Sequence, residues 1–293
     1  MQSVAGIEAG GTKFNVAIGH GMALHASTTI PTTDPATTLA LVGDWLASHG
    51  SFAAIGIASF GPIDLHPGSA TFGHITTTPK PGWANTDVFG YFQKRFPGIP
   101  IGFDTDVNGA ALGEHRYGNA RGLDDFIYIT IGTGIGGGGM ANGRLLHGRL
   151  HPEIGHLRLK RIPGDNAPGI CPFHGDCWEG LCCGPALEKR FGMPAGQLPA
   201  DHSGWNFTIG YTAQALANLT YTLSPQRIII GGSVRKGGLM GESEFFQRLR
   251  RKFVDEINGY LSFENVDGCI VPPALGDMAG LIGALALAEA SAL

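Results

Sequence analysis

Residues 171–177 read CPFHGDC: a thiol, an imidazole and a second thiol, each separated by two residues. Thiolate and imidazole are the donors zinc prefers, and a structural zinc site takes four of them in a tetrahedron. The loop itself supplies three. His147, His151 and His156 upstream, and Cys182 and Cys183 just downstream, are the nearest sources of a fourth, and spacing alone does not choose among them. A redox pair would need C-x-x-C, which this loop lacks. The chain has five cysteines, an odd number, so a disulfide framework is not expected. Incidental cysteines are the competing reading; three donors at two-residue gaps favour a metal.

Two glycine-rich turns could meet phosphate. In 8-EAGGTKF-14, Gly10 and Gly11 let backbone approach a ligand, while the Thr12 hydroxyl and the Lys13 ammonium add donors. The stretch is not a Walker loop, since G-x-x-x-x-G-K-[ST] is absent; a tight hairpin with a surface Thr-Lys pair is the plainer alternative. The second, 132-GTGIGG-137, matches G-x-G-x-x-G, the dinucleotide fingerprint, which requires a helix straight after the glycines. Here Gly136 to Gly139 run instead into an Asn-Gly hairpin. A dinucleotide site is excluded, and a phosphate-cradling turn with Thr133 as hydroxyl donor remains.

Two carboxylates stand in 104-DTDVN-108, where an apolar strand gives way to a helix. Ligand sites of α/β sheets lie at such carboxyl ends. Helix capping is the commoner use of an aspartate there. With Asp104 and Asp106 both present, one can cap and the other act as a base.

The surrounding elements must position these groups. Residues 2–19 read as strand, glycine turn, strand, and 126–148 repeat that theme. A helix is expected over 35–50, from Pro35 to Gly50. Buried strands are expected near 53–61 and 99–104, with a short helix over 105–118. Further helices are expected over 209–223, 243–261 and from about 277, and strands at 227–234, closed by a Gly turn, and 268–271. The repeat predicts a duplicated two-domain α/β protein, with a boundary near Gly118–Asp124: residues 1–118 carry the first glycine turn and the aspartates, and 119–293 the second turn and the Cys/His loop. The last helix is expected to pack back on the first domain.

Of 293 residues, 43% are hydrophobic and 47 are glycine. The glycines cluster in GG and GxG turns without a G-X-Y period, which excludes a collagen-like chain. The net charge of −4 and the absence of a dense Lys/Arg run argue against a nucleic-acid partner. No window approaches the roughly 18 apolar residues of a membrane span; the most apolar stretch, 278–293, is broken by Glu289. The start carries no signal-type run, so a cytoplasmic protein is expected.

Taken together, EAGGTK, SFGPID, DTDVNGAALGE, ITIGTGIGGG, HPEIGH, CPFHGDCWEG, IIIGGSV and ALGDMAGLIGA resemble the ROK family of sugar kinases and repressors, in particular its bacterial fructokinase branch. The resemblance covers nearly the whole chain. It implies an actin-like, ribonuclease-H-like duplicated fold with ATP in an interdomain cleft. It implies phosphorylation of a hexose by ATP and Mg²⁺, D-fructose foremost, with mannose or glucose as rival substrates. It implies Asp106 as general base and Glu153, His156 and Glu179 at the sugar. It implies Gly10, Gly11, Thr12, Lys13, Thr133 and Gly134 at the phosphates, with Gly231 and Gly232 on the adenosine side. His156, Cys171, His174 and Cys177 are implied as ligands of a structural Zn²⁺, and a homodimer is implied. The chain departs from the common pattern in having Glu8 for Asp, Thr105 for Asn beside the base, and His174 for a cysteine. The family's repressors carry an N-terminal helix-turn-helix; with EAGGTK beginning at residue 8, an enzyme is expected, ahead of a repressor or a non-catalytic sugar binder.

Overall fold

The computed structural model describes residues 2–292. In chain order it forms β1 (Val4–Ala9), β2 (Lys13–His20), β3 (Ala23–Pro31), α1 (Pro35–Ser48), β4 (Ile55–Ser59), α2 (Val88–Arg95), β5 (Ile101–Thr105) and α3 (Asp106–Tyr117). There follow β6 (Phe126–Ile131), β7 (Ile135–Ala141), β8 (Arg144–Leu145), α4 (Trp178–Cys182), α5 (Gly184–Phe191) and α6 (Gly204–Leu223). The chain closes with β9 (Arg227–Gly231), α7 (Glu242–Ile257), α8 (Val266–Cys269), β10 (Ile270–Val271) and α9 (Ala279–Ser291).

Tertiary contacts group these elements into two units. The first comprises Met1–Gly122, Leu145–Pro152 and Ala274–Leu293; the second comprises Leu123–Arg144 and Glu153–Pro273. A single cut near residue 118 does not describe them, because the chain returns to the first unit for a short strap at 145–152 and again for α9.

The first unit holds a sheet in the order β3-β2-β1-β4-β5, the second one in the order β10-β9-β6-β7-β8. Strand β1 is antiparallel to β2 and parallel to β4, and β4 is parallel to β5. In the second sheet β6 is antiparallel to β7 and parallel to β9, which is parallel to β10. Each sheet is therefore a run of three strands that begins with an antiparallel hairpin, extended on the side of its first strand by two parallel strands. The second strand–turn–strand stretch is a repeat of architecture, and its Asn142-Gly143 turn has both residues at positive φ, 52° and 70°, as a type I′ hairpin demands.

Strands β1 and β4 are buried along almost their whole length, which their largely apolar sequences foretell, with the half-buried Glu8 as the exception. The polar edge strand β3 was not expected: its ALHASTTIP sequence carries little apolar signal, and it forms because β2 offers a free edge. The short helix α2 was also missed; Asp87 caps it by accepting the Gly90 N–H at 2.7 Å. Helix α7 ends at Ile257 rather than 261, because Asn258 and Gly259 both turn left-handed. Only Ile270 and Val271 of the expected strand at 268–271 are extended; its first residues belong to α8.

A row of glycines seats α9. Gly6, Gly56 and Gly102 lie side by side in register across β1, β4 and β5. A Cβ on Gly56 would stand 1.9 Å from the Ala284 carbonyl oxygen, and one on Gly102 2.5 Å from that of Leu287. On the other side of the helix, a Cβ on Gly283 would stand 1.9 Å from the Gly109 oxygen of α3. Helix, sheet and helix thus touch backbone to backbone, and α9, buried from Ala279 to Ala288, becomes the centre of this layer. Gly56→Ala is expected to cost about 3 kcal/mol, the upper end of overpacking, since a backbone carbonyl cannot rotate away. Denaturant midpoints would show it, against Gly196→Ala as control, where an added Cβ meets nothing within 4 Å.

Candidate active site and metal centre

In the first unit the parallel strands end together: Ala9, Ser59 and Thr105 are neighbours in register. The Gly10–Thr12 turn, the Phe60–Pro62 segment and Asp106 consequently leave the sheet at one edge. The turn is tight, with Gly10 N–H donating to the Lys13 oxygen at 3.0 Å and the Thr32 hydroxyl to the Gly10 oxygen at 2.7 Å. Thr12 and Lys13 are exposed at its tip.

The two aspartates are told apart by their partners. Thr105, not either aspartate, caps α3: its Oγ1 accepts the Asn108 N–H at 3.1 Å. Asp104 is buried; its Oδ1 accepts from Thr105 N–H at 2.7 Å and Asn108 Nδ2 at 2.9 Å, and its Oδ2 lies 2.8 Å from His147 Nε2. Its acceptor sites are largely occupied. Asp106 begins the helix half-buried, with Oδ1 2.9 Å from the Val107 nitrogen.

Glu8 sits at the end of β1, where its Oε2 accepts from Asn15 Nδ2 at 2.7 Å; Asn15 in turn accepts from the Thr29 hydroxyl. Burial raises its pKa, the Asn15 bond and the Lys13 charge oppose that, and the nearby Asp277 adds to it. The first turn of α9 closes over this carboxylate, since a Cβ on Gly280 would stand 2.0 Å from Glu8 Oε1.

In the second unit β6 and β9 end beside each other, with Thr130 opposite Gly231. The turn after β6 is closed by Gly132 N–H to the Gly134 oxygen at 2.9 Å and braced by Gly184 N–H to the Gly132 oxygen at 2.7 Å. Glu179 Oε2 accepts the Ile135 N–H at 2.9 Å. One carboxylate of the expected sugar set therefore buttresses the expected phosphate turn, and Thr133 stays exposed at its tip. Gly232, at φ 83°, turns the chain after β9 against the Ile131 carbonyl, where a side chain would clash at 2.3 Å.

A 3₁₀ turn over Ile154–His156 packs on β7 so closely that a Cβ on Gly155 would stand 1.9 Å from the Ile135 oxygen. This sets Glu153 and His156 beside the same turn. Burial, and then the negative charge of Glu179, push the Glu153 carboxyl up to about 7. Such an acid is partly protonated at neutral pH and can donate as well as accept a hydrogen bond.

The structure brings His156, Cys171, His174 and Cys177 together, their donor atoms all within 4.8 Å of one another. His156 Nδ1 lies 3.5 Å from Cys177 Sγ and 3.8 Å from Cys171 Sγ, and His174 Nδ1 lies 3.7 Å from Cys171 Sγ. Tetrahedral zinc, with its usual bond lengths, sets donor–donor edges of about 3.4–3.8 Å. The donor set fits such an ion in type and number, and these three donor–donor distances match its spacing. Burial pushes the Cys177 thiol up to about 11, so the thiol is protonated unless a cation holds the thiolate. Asp176, inside the loop, accepts from Gly169 N–H and pairs with Arg161 at 3.2 Å, which also donates to the Asp165 and Ala167 carbonyls. The buried Asp165 carboxylate is held by Arg190 and by the Tyr211 hydroxyl at 2.7 Å.

The other candidates for the fourth ligand are engaged elsewhere. His147 faces Asp104, and His151 accepts the Ile63 N–H at 3.0 Å on its Nε2. Cys182 and Cys183 lie in the second unit's core with Trp178, Leu181 and Trp205. Sequence reasoning missed the Asp104–Asn108–His147 cluster, because a 39-residue gap separates Asn108 from His147 and no local pattern links them.

A hairpin-plus-parallel sheet occurring twice, each with a glycine turn at its carboxyl edge, defines the actin-like α/β fold of sugar kinases. The chain belongs to the ROK family, which it matches over residues 4–291. It is 43% identical over 286 residues to the fructokinase of Pediococcus pentosaceus, covering 97% of each chain. It is 41% identical over 294 residues to the fructokinase of Zymomonas mobilis, covering 97% of this chain and 96% of that one. Among solved structures it resembles a ROK hexokinase from Thermus thermophilus, with a TM-score of 0.76 and 26% identity over 98% of both chains.

Proposed function

We propose that this protein transfers the γ-phosphoryl group of ATP to a hexose, D-fructose foremost, giving fructose 6-phosphate. The observation that carries the reading is Asp106: a carboxylate at the carboxyl edge of a parallel sheet, released from capping by Thr105, in a chain similar over its whole length to fructokinases. Asp106 accepts the proton of the attacking hydroxyl and orients its oxygen. Phosphoryl transfer leaves a protein little covalent work, so positioning and charge stabilisation dominate. The turn at Gly10, Gly11, Thr12 and Lys13 and the turn at Thr133 and Gly134 each offer donors for phosphate oxygens. Gly231 and Gly232 shape the turn on the adenosine side. Magnesium arrives with ATP, and Glu8, half-buried and held by Asn15, is the carboxylate available to it or to its water.

Glu153, Glu179 and His156 take the sugar hydroxyls. His156, Cys171, His174 and Cys177 would hold zinc, which supplies a structural cross-link in a loop with little core of its own. His156 then serves both jobs, its orientation held by the metal. The same reading carries a homodimer working in the cytoplasm; among the described residues no helix is long and apolar enough to cross a membrane.

The test is ADP release from Mg-ATP with fructose, mannose, glucose, N-acetylmannosamine or no sugar. Release with fructose far above the rest is the expected result. Preference for another hexose keeps the mechanism and reassigns the substrate. Absence of release with every sugar, from zinc-replete protein, overturns the reading.

A further inference from the structure

The strap at 145–152 is held to the first unit by two histidines in opposite roles. At its leading end His147 Nε2 lies 2.8 Å from Asp104 Oδ2. Asn108 Nδ2 lies 2.9 Å from the other oxygen of that carboxylate, 3.3 Å from the His147 ring and 3.4 Å from the Leu146 carbonyl. At its trailing end the buried His151 accepts the Ile63 N–H on Nε2, which leaves its proton on Nδ1, 3.5 Å from the Pro152 oxygen. Between these pins the strap curls around an open hollow of about 340 Å³ lined by residues 146–152.

The leading pin surrounds the base. Asp104 and Asn108 stand two residues to either side of Asp106, and His147 ties both to the strap. The residue that follows the strap in the chain is Glu153, one of the proposed sugar contacts. Asp104 is buried, whereas the His147 side chain keeps 44% of its surface exposed, so the ring closes the junction from outside. Burying a carboxylate costs free energy unless charged or polar donors surround it; Asp104, so surrounded, makes sense as the anchor for that ring.

We propose that His147 is a positioning residue for the sugar: gripped by Asp104, it latches the strap onto the β5–α3 junction and so sets the affinity for the hexose, with little influence on ATP. The proposal rests on the kinase reading above and extends it to a residue that no local motif marks.

The latch has a pH signature. The bond to Asp104 raises the His147 pKa above its ordinary 6.5, burial opposes this, and the Asp104 charge adds to it. The titratable groups acting on it are Asp104 from β5 and His151 from the strap itself, while α3 presents the neutral Asn108. A raised folded-state pKa means that the charged part of the latch is complete below the ordinary value. It is lost as pH rises through the raised one. The fructose KM of the native enzyme should therefore rise on the alkaline side.

Steady-state kinetics of the zinc-replete enzyme and of His147→Ala and His147→Gln, between about pH 6 and pH 9, test this. His147→Ala should raise the fructose KM about tenfold or more, as loss of a charged hydrogen bond implies, with the ATP KM and kcat within about twofold. His147→Gln keeps an amide donor for Asp104 and should recover most of the affinity while losing the alkaline rise. An unchanged fructose KM in the alanine variant overturns the proposal, as does an ATP KM that rises in step, or a glutamine variant no better than alanine. If the alanine variant fails to fold, the pH profile of the glutamine variant decides alone. If the native enzyme phosphorylates no sugar, the kinase reading falls by itself. The latch is then judged by hydrogen exchange of residues 145–152: faster exchange in His147→Ala than in the native chain upholds it, equal exchange overturns it.

Discussion

Asp106→Asn lowers kcat by about 10²–10⁴, the usual worth of a general base, and leaves the fructose KM close to its native value. The substitution is nearly isosteric and keeps an oxygen for the contact to the Val107 nitrogen, 2.9 Å away. The cap of α3 is untouched, because Thr105 provides it. What disappears is the carboxylate that takes the proton. Asp104 is a poor substitute, since its oxygens already meet Thr105, Asn108 and His147. Rates at saturating fructose and ATP, with a thermal melt of each variant, make the comparison. A variant that turns over like the native enzyme removes Asp106 from the mechanism and sends the search back to Asp104.

Removing the metal is expected to have the second large effect. Structural zinc contributes on the order of 10–16 kcal/mol of binding free energy in finger peptides, and even a fraction of that exceeds what this loop's own contacts supply. The loop still has the Asp176 bonds to Gly169 and Arg161, so chelation should loosen it rather than unfold the chain. His156 stands between the metal and the proposed sugar site, so the fructose KM should rise first and most. Cys177→Ser should copy the chelated state: its Sγ belongs to the donor set and also accepts the Gly180 N–H that starts α4. Metal analysis of the purified protein should find one zinc per chain. Fully active protein that contains no zinc would refute the assignment.

Much of this site is legible before any coordinates. Strand–turn–strand units announce themselves because glycine turns and apolar alternation are local properties. Helix α1 can be read from Asp34-Pro35, and its cap forms with Asp34 accepting the Thr37 N–H at 2.9 Å. Three of the four proposed metal ligands share one seven-residue loop, so their types and gaps suffice to raise zinc. By contrast, β3 and α2 escape sequence reasoning, as polar or short segments that become regular only when a neighbour pairs with them or a cap forms.

Tertiary structure alone decided the partners. Five candidates competed for the fourth ligand position. His156 is the one brought to the loop, because the Ile154–His156 turn is pressed on β7 through Gly155, whereas His147 and His151 are carried away on the strap to Asp104 and Ile63. Asp104 and Asp106 are equivalent in sequence terms. They differ because Asp104 lies in the strand, buried against Asn108 and His147, whereas Asp106 is the first residue of the helix that follows it. The glycine row at Gly6, Gly56 and Gly102 is scattered over almost a hundred residues, and only the register of three parallel strands gathers it into a seat for α9. Chain chemistry within a few residues determined which groups could act; contacts between segments far apart in the chain determined which of them meet.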